Sequence, residues 1–147
     1  MPRLELKRKL GKIWPATPSD RKIILLYHSI GDSDWAMAKH FFRDQIHWLY
    51  DHCKILPLAD LIVAKPSSEI QITITFDDGY QSLYETVHPI LTEKKIPATV
   101  YLNTGWIGEN DSERRSSVAK LGHYPNEYFL TWPEVKTLNE AGWDLYK

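Results

Sequence analysis

Two adjacent carboxylates, Asp77 and Asp78, are the side chains of this sequence whose types and spacing could most clearly do chemistry. They follow the alternating run Ile70–Phe76, and Gly79 comes directly after them. The alternation predicts a strand with one buried face, and the glycine predicts a sharp turn. Like charges side by side are costly unless a cation lies between them or one is protonated, so the pair indicates a metal site or a general-base site. A plain Asp-Gly turn is the competing interpretation.

A histidine occupies a comparable position earlier in the chain. The continuous apolar run Ile23–Tyr27 predicts a strand buried on both faces, and His28 follows it directly. In parallel α/β sheets, functional side chains gather at the carboxyl ends of the strands. His28 and the acid pair would then lie at the same edge of one sheet, which favours a functional site over a plain turn.

Strands and helices alternate along the chain, which predicts βαβ units, a parallel sheet and an α/β fold. Apolar spacings of three and four predict helices over residues 40–53 and 80–94, the second interrupted by Pro89. A capping box of Thr131 and Glu134 predicts a helix start, and Gly142 predicts its end. Further predicted elements are strands at 55–56, 98–102 and 143–146, a short helix at 59–64, and an irregular connection over 103–130.

The composition is that of an ordinary globular domain of 147 residues, with 43% hydrophobic and 25% charged residues. The net charge of −1 gives no electrostatic argument for a nucleic-acid partner. Cys53 is the only cysteine, which excludes an intrachain disulfide and a cysteine-based zinc cluster. The sequence contains no predicted transmembrane segment and no apolar stretch typical of a secretory signal. We therefore expect residues 1–20 to form an N-terminal arm and the chain to be cytoplasmic.

Six segments resemble, in order, the polysaccharide deacetylase family, carbohydrate esterase family four. The acid pair belongs to the most specific of them, Thr-Phe-Asp-Asp-Gly-Tyr, and the early Tyr-His segment resembles the branch that deacetylates poly-N-acetylglucosamine. The segments are Leu26–Ser29, Phe41–Leu49, Thr75–Tyr80, His88–Leu91, Ile96–Leu102 and Leu138–Trp143.

The resemblance implies a (β/α) barrel and a metal-dependent hydrolase that removes N-acetyl groups from a polysaccharide or amino sugar. Asp77 matches the general base of the family and Asp78 matches a metal ligand. His28 matches the general acid of the early Tyr-His branch. The implied cofactor is a divalent metal, zinc, cobalt or nickel, and the implied partner is an N-acetylated glycan. Many relatives act at the cell envelope, which is the alternative location.

The family takes two further metal ligands from a His-x-x-x-His motif that occurs nowhere in this chain. We therefore expect residues 21–147 to be a partial polysaccharide deacetylase domain, an incomplete (β/α) barrel truncated before that motif. Metal binding and activity of such a chain are open, and an unpaired sheet edge would favour self-association. Of the other histidines, His123 in the long connection is a candidate replacement ligand. Solvated, capping or surface roles are expected for His40, His47, His52 and His88.

Two other functions stay open on the sequence alone. A non-catalytic glycan-binding remnant would use aromatic stacking surfaces, for which the candidates are Tyr80, Tyr101, Trp106 and Trp132. A magnesium-dependent phosphoryl-transfer domain would also suit an acid pair at a strand end. The sequence has no glycine-rich phosphate loop, which argues against the phosphoryl-transfer alternative.

Overall fold

The structure is a computed structural model that describes residues 21–33, 36–116 and 127–147. The expected N-terminal arm and His123 therefore lie outside the described residues. No helix in these three ranges is long and apolar enough to cross a membrane. The described strands are β1 (Lys22–Tyr27), β2 (Cys53–Ile55), β3 (Ile70–Asp78), β4 (Thr99–Leu102) and β5 (Asp144–Tyr146).

The strands form a parallel sheet in which β3 is the central member. The order is β1-β3-β4-β5, and β2 pairs with the beginning of β3. Tyr27 of β1 is in register with Phe76 of β3, and Asp77 is in register with Tyr101 of β4. Tyr101 is in turn paired with Tyr146 of β5. The expected parallel α/β sheet is confirmed, and the carboxyl ends of four strands meet at one edge.

Helices follow the strands at the places that the apolar spacing predicts, with one exception. Four α-helices are described: α1 (Lys39–His52), α2 (Leu58–Val63), α3 (His88–Thr92) and α4 (Trp132–Glu140). The helix predicted over 80–94 is present over a shorter range, as a π-helical turn at Leu83–Val87 followed by the short α3. Pro89 lies in the first turn of α3, directly after the π-helical turn. The expected interruption by Pro89 therefore occurs as a change of helix type.

One face of the sheet packs against the helices and forms the core. Phe42 of α1 meets the ring of Tyr27 edge-on, with the two centroids 5.3 Å apart. Trp143, which lies just before β5, stacks on Phe76 at 5.9 Å. All four side chains are buried. Aromatic contacts therefore fix the ends of β1 and β3 against the helical layer, immediately before the positions of His28 and Asp77.

The burial of β1 and β3 is the reverse of what their patterns predict. Ile24 and Leu26 of β1 are 58% and 54% exposed, although the continuous apolar run predicts burial on both faces. Thr73 and Thr75 of β3 are each 1% exposed, although alternation predicts one open face. Position in the sheet decides this, because β3 has strands on both edges and short side chains that its neighbours shield. Among the described residues, β1 pairs with β3 alone.

An ion pair holds the connection between β4 and α4 against the start of α4. Arg114 donates to both carboxylate oxygens of Glu134, at 2.8 and 2.9 Å, and to the carbonyl of Phe129 at 3.0 Å. It also contacts the carboxylate of Asp111. The side chains of Arg114 and Glu134 are each 12% exposed. The hydrogen bond to Glu134 is the main reason that the pKa of Arg114 is raised.

The same Glu134 completes the expected capping box by accepting a 2.8 Å hydrogen bond from the backbone N–H of Thr131. The segment that it anchors reaches the acid pair, since the N–H of Leu130 donates to the carbonyl of Gly79 at 2.9 Å. The N–H of Gln81 likewise donates to the carbonyl of Tyr128 at 2.8 Å. The Arg114–Glu134 pair therefore supports the backbone next to the strand end that carries the carboxylates.

We predict that Glu134→Ala lowers the free energy of unfolding by about 3 kcal/mol, because it leaves a buried guanidinium without its main partner and removes the helix cap. Glu134→Gln keeps an acceptor for Thr131 and should cost roughly half as much, since it removes only the charge. Urea unfolding at neutral pH measures both changes.

Glu140→Ala is the matched control, because Glu140 forms an exposed pair with Lys136 at 3.7 Å on the same helix. It should change stability by less than about 0.5 kcal/mol. Equal effects of Glu134→Ala and Glu140→Ala would contradict a structural role for the buried pair.

Candidate active site

A tight backbone turn shapes the end of β3, where the two carboxylates lie. Asp78 and Gly79 both have positive φ, at 69° and 80°, and the N–H of Gly79 donates to the carbonyl of Asp77 at 2.9 Å. Asp is one of the few residues other than glycine that tolerate this conformation. A Cβ on Gly79 would lie 2.8 Å from Cδ2 of Leu102 and 3.2 Å from Cδ1 of Ile107. The backbone therefore turns sharply after Asp77, and this turn orients the acid pair.

His28 lies beside this turn, as the strand-end argument predicts. Its Nε2 is 4.0 Å from Oδ2 of Asp77, and the two side chains are 39% and 34% exposed. The proximity follows from the register of β1 with β3, which brings the residue after Tyr27 level with the residue after Phe76. A basic and an acidic group are therefore close together, partly buried and open to solvent on one side.

Ser82, which sequence reasoning missed, ties the loop after His28 to the turn after Asp78. Its Oγ accepts a 3.1 Å hydrogen bond from the N–H of Ile30 and lies 3.1 Å from Oγ of the buried Ser29. The sequence signal for Ser82 was weak, because a serine three residues after an Asp-Gly turn is common. The contact fixes the backbone on both sides of the pair formed by His28 and Asp77.

Burial raises the pKa of Asp77, which is the direction that suits a general base near neutral pH. The positive charge of His28, when it is protonated, opposes this increase, and the negative charge of Asp78 adds to it. The carboxylate therefore depends on both neighbours for its proton affinity. Perturbed pKa values of this kind are enriched at functional sites.

The described residues alone do not complete a metal site. They contain no cluster of three or more His, Cys, Asp or Glu side chains able to hold an ion. Asp78 can offer carboxylate oxygens, but a catalytic zinc site takes three protein ligands. Asp78 is thus one candidate ligand of an incomplete set.

Histidines elsewhere in the described chain have the structural settings expected for them, except His88. His40, His47 and His52 lie exposed on α1, where Nδ1 of His52 is 2.7 Å from the carbonyl of Trp48. His88 is partly buried beside Trp143, with the ring centroids 6.1 Å apart, so the expected surface position is wrong. The ring of Tyr84, also 6.1 Å from that of His88, covers the side chain further and explains this difference.

The aromatic candidates divide into buried and open side chains. Tyr80 is fully buried and stacks on Phe129 at 5.1 Å, so its proposed use as a stacking surface is wrong. Trp106 packs on the same Phe129 at 4.9 Å. Trp132 is partly buried. Tyr101 is 41% exposed and stacks with Tyr146, which the sequence argument did not single out.

Comparison with protein families matches residues 64–146 to the model described as polysaccharide deacetylase. A poly-beta-1,6-N-acetyl-D-glucosamine N-deacetylase of Staphylococcus aureus strain MSSA476 is 32% identical over 91 residues, covering 59% of this chain and 31% of the relative. The enzyme of the same name from Staphylococcus epidermidis is 31% identical over 107 residues, covering 70% and 37%. This chain thus spans about a third of the length of these relatives.

Solved structures agree on the fold. IcaB from Ammonifex degensii superposes with a TM-score of 0.71 at 20% identity, covering 86% of this chain and 52% of that one. The BpsB deacetylase domain from Bordetella bronchiseptica superposes with a TM-score of 0.61 at 21% identity, covering 90% and 55%. The expected (β/α) barrel type of the polysaccharide deacetylases is therefore confirmed.

We predict that Gly79→Ala destabilises the protein by about 2–3 kcal/mol, because a methyl group at this position combines backbone strain with overpacking against Leu102. Gly142 separates the two costs, since it has a φ of +86° but no atom within 4 Å of an added Cβ. Gly142→Ala should cost about 1–2 kcal/mol from backbone strain alone.

Gly31→Ala is the control for both, because Gly31 has neither a positive φ nor a close neighbour. Its effect should be within about 0.5 kcal/mol. Chemical unfolding measures the free energy of unfolding of the three variants. A loss of stability in Gly79→Ala no larger than that in Gly142→Ala would contradict the close-packed turn.

We predict opposite changes of the Asp77 pKa in two variants of the metal-free protein. Asp78→Asn removes a neighbouring negative charge and should lower the pKa, whereas His28→Gln removes a neighbouring positive charge and should raise it. Carboxyl carbon chemical shifts followed during a pH titration measure both. If the pKa of Asp77 changed in the same direction in both variants, the electrostatic coupling of the three groups would be contradicted.

The raised pKa of Asp77 also contributes to the pH dependence of the protein's stability. A carboxyl group whose pKa is higher in the folded state stabilises the fold below its unfolded pKa, near 3.9, and loses that contribution as the pH rises through the folded value. Asp77→Asn should therefore raise the melting temperature slightly at pH 7 and leave it unchanged at pH 3. The gain is small because the side chain is 34% exposed to screening solvent.

Proposed function

The chain belongs to the polysaccharide deacetylase family, and on this premise we propose that it is the part of a polysaccharide N-deacetylase that carries the general base and the general acid. The reaction hydrolyses the amide bond between an acetyl group and the amino group of a sugar. Its products are acetate and the free amine. The match covers the segment from residue 64 to residue 146, which includes Asp77 and Asp78.

The observation that carries this proposal is the 4.0 Å separation between Nε2 of His28 and Oδ2 of Asp77 at the carboxyl ends of β1 and β3. Amide hydrolysis needs one group that removes a proton from water and another that gives a proton to the departing nitrogen. A carboxylate with a raised pKa and an imidazole, both partly open to solvent, supply these two functions in one place.

The proposed steps use only these two side chains for proton transfer. The ionised Asp77 takes a proton from a water molecule as the water oxygen bonds to the acetyl carbonyl carbon. The tetrahedral intermediate then collapses, the carbon–nitrogen bond breaks, and the protonated His28 donates to the leaving nitrogen. The proton taken by Asp77 returns to solvent or to His28, whose position 4.0 Å away suits such an exchange. Each turnover consumes one water molecule and restores both side chains.

A divalent metal would supply charge stabilisation for the developing oxyanion in such a reaction. Asp78 is the described residue that we assign as one of its ligands, because its carboxylate directly follows the base on the turn. The described residues do not complete the ligand set.

The substrate class that we propose is a glycan of N-acetylglucosamine units. The staphylococcal relatives are named for poly-beta-1,6-N-acetyl-D-glucosamine, and the matched region includes the acid pair. The acid pair also disfavours phosphate-bearing ligands, because Asp77 and Asp78 place negative charge at the strand ends. A neutral acetylated sugar meets no such repulsion.

The test measures acetate release from N-acetylglucosamine oligomers by the purified chain, with zinc, cobalt or nickel salts added in turn. We expect release to fall at least 100-fold in Asp77→Asn and in His28→Gln, the range for loss of a general acid or base. Asp44→Asn and His47→Gln make the same chemical changes at exposed positions of α1 and should keep the wild-type rate.

Wild-type rates in Asp77→Asn would exclude Asp77 as the base. Absence of acetate release with all three metals would exclude hydrolysis by this chain, and binding of the oligomer without release would then favour the non-catalytic glycan-binding alternative.

A further inference from the structure

The pairing of β1 with β3 ends one residue before each of the two side chains that we assign to proton transfer. Its last register pair is Tyr27 with Phe76, so the ladder between these strands includes neither His28 nor Asp77. β3 continues to Asp78 beside β4, whereas the chain leaves β1 and enters a loop. A segment beyond the end of a ladder moves readily unless other contacts hold it. The 4.0 Å separation of His28 from Asp77 therefore depends on contacts made by this loop as well as on the register.

The hydroxyl of Ser82 makes such contacts from the turn after the acid pair. Its Oγ accepts a hydrogen bond from the N–H of Ile30 at 3.1 Å and lies 3.1 Å from Oγ of Ser29. Ser29 and Ile30 are 3% and 1% exposed, so water has little access to replace these contacts. His28 is thus held between the end of the ladder on one side and the Ser82 hydroxyl on the other.

The backbone that carries Ser82 is itself fixed on both sides. Ser82 directly precedes the π-helical turn, and the N–H of Leu83 donates to the carbonyl of Tyr80 at 3.1 Å. The side chains of Leu83 and Tyr80 are fully buried. On the other side, the N–H of Gln81 donates to the carbonyl of Tyr128 at 2.8 Å. Ser82 is therefore a fixed point to which the loop after β1 is tied.

We propose that Ser82 is a positioning residue for the hydrolysis, because its hydroxyl holds the loop that follows His28 against the turn that follows Asp77. The inference rests on the proposed function, in which His28 gives a proton to the leaving nitrogen. Ser82 takes no part in the proton transfer and acts through the backbone of residues 29 and 30. Placement matters because an error of about 1 Å in a catalytic group can lower a rate about 100-fold. Loss of the hydroxyl should therefore lower kcat and leave KM nearly unchanged.

The first measurement is steady-state acetate release from an N-acetylglucosamine tetramer, with the metal salt that gives the wild-type chain its highest rate. We expect Ser82→Ala to lower kcat by about tenfold or more and to change KM by less than about threefold. Ser82→Thr keeps the hydroxyl and should recover most of the rate. Ser67→Ala is the matched control and should keep the wild-type kcat. Oγ of Ser67 also accepts a 3.1 Å hydrogen bond from a backbone N–H, that of Glu69, but it lies before the amino end of β3.

A double variant distinguishes the positioning of His28 from a general loss of structure. In a His28→Gln background the group that Ser82 positions is absent, so Ser82→Ala should lower kcat there by less than about twofold. An equal loss in both backgrounds would overturn the proposal, because Ser82 would then act independently of His28. Wild-type kcat in Ser82→Ala would overturn it as well.

Urea unfolding verifies that each variant is folded. Ser29→Ala provides the same comparison if Ser82→Ala does not fold, because it removes one contact of the Ser82 hydroxyl and leaves the bond from Ile30. Its kcat should lie between those of the wild-type chain and Ser82→Ala. Wild-type kcat in Ser29→Ala, where Ser82→Ala is unfolded, would count against the proposal.

A measurement without turnover distinguishes failure of this proposal from failure of the proposed function. The nuclear Overhauser effect between ring protons of His28 and the β-protons of Asp77 reports their proximity in the metal-free protein. We expect its cross-peak in the wild-type chain and in Ser67→Ala, and a severalfold weaker one in Ser82→Ala.

The two readouts have separate consequences. A weaker cross-peak in Ser82→Ala, combined with no acetate release by the wild-type chain, would support the positioning of His28 and count against hydrolysis. An unchanged cross-peak in Ser82→Ala, or its absence in the wild-type chain, would overturn the positioning role even where acetate is released.

Discussion

The in-register pairing of β3 with its neighbours is the constraint on which the rest of the structure depends. β3 pairs in parallel with β1, β2 and β4, and its last residues carry the two carboxylates. Because the period of a strand is two, a slip of one residue would send Asp77 to the helical face and Phe76 to the open face. The aromatic contacts of Phe76 with Tyr27 and Trp143 make such a slip costly. Core packing on one face therefore fixes the position of Asp77 on the other.

The site lies where the favourable burial of β3 ends and an unfavourable conformation begins. Gln71 to Phe76 are buried, whereas Asp77 and Asp78 are only partly so, and Asp78 takes a left-handed backbone. A left-handed non-glycine residue costs of order 1 kcal/mol and persists only where its surroundings determine it. The hydrogen bond between Leu130 and Gly79, backed by the Arg114–Glu134 pair, provides that support. Residues distant in sequence thus stabilise a turn that would be weak in isolation.

Local patterns in the sequence were sufficient for most elements and for the central pair of the site. The capping box at Thr131, the strand that leads into the acid pair and the strand that ends before His28 are all decided by neighbouring residues, and they are confirmed. Burial could not be predicted from local patterns. The side chains of β1 are more exposed and those of β3 more buried than expected, because the position of a strand in the sheet decides its burial. The contact of Ser82 with Ser29 and the stacking of Tyr101 on Tyr146 join residues far apart in sequence. No spacing rule within one segment could have identified them.

The two faces of the sheet contribute differently to stability. The helical face contains the large buried rings, such as Phe42 and Phe76, whose truncation would remove core packing. The face that carries Asp77 and Tyr101 has small buried threonines beneath it and exposed functional groups at its edge. Substitutions at that edge remove little buried apolar surface, so they can change chemistry with little cost in stability. The packed face therefore keeps the register of the sheet, while the open edge beside Asp77 tolerates substitution at little cost in stability.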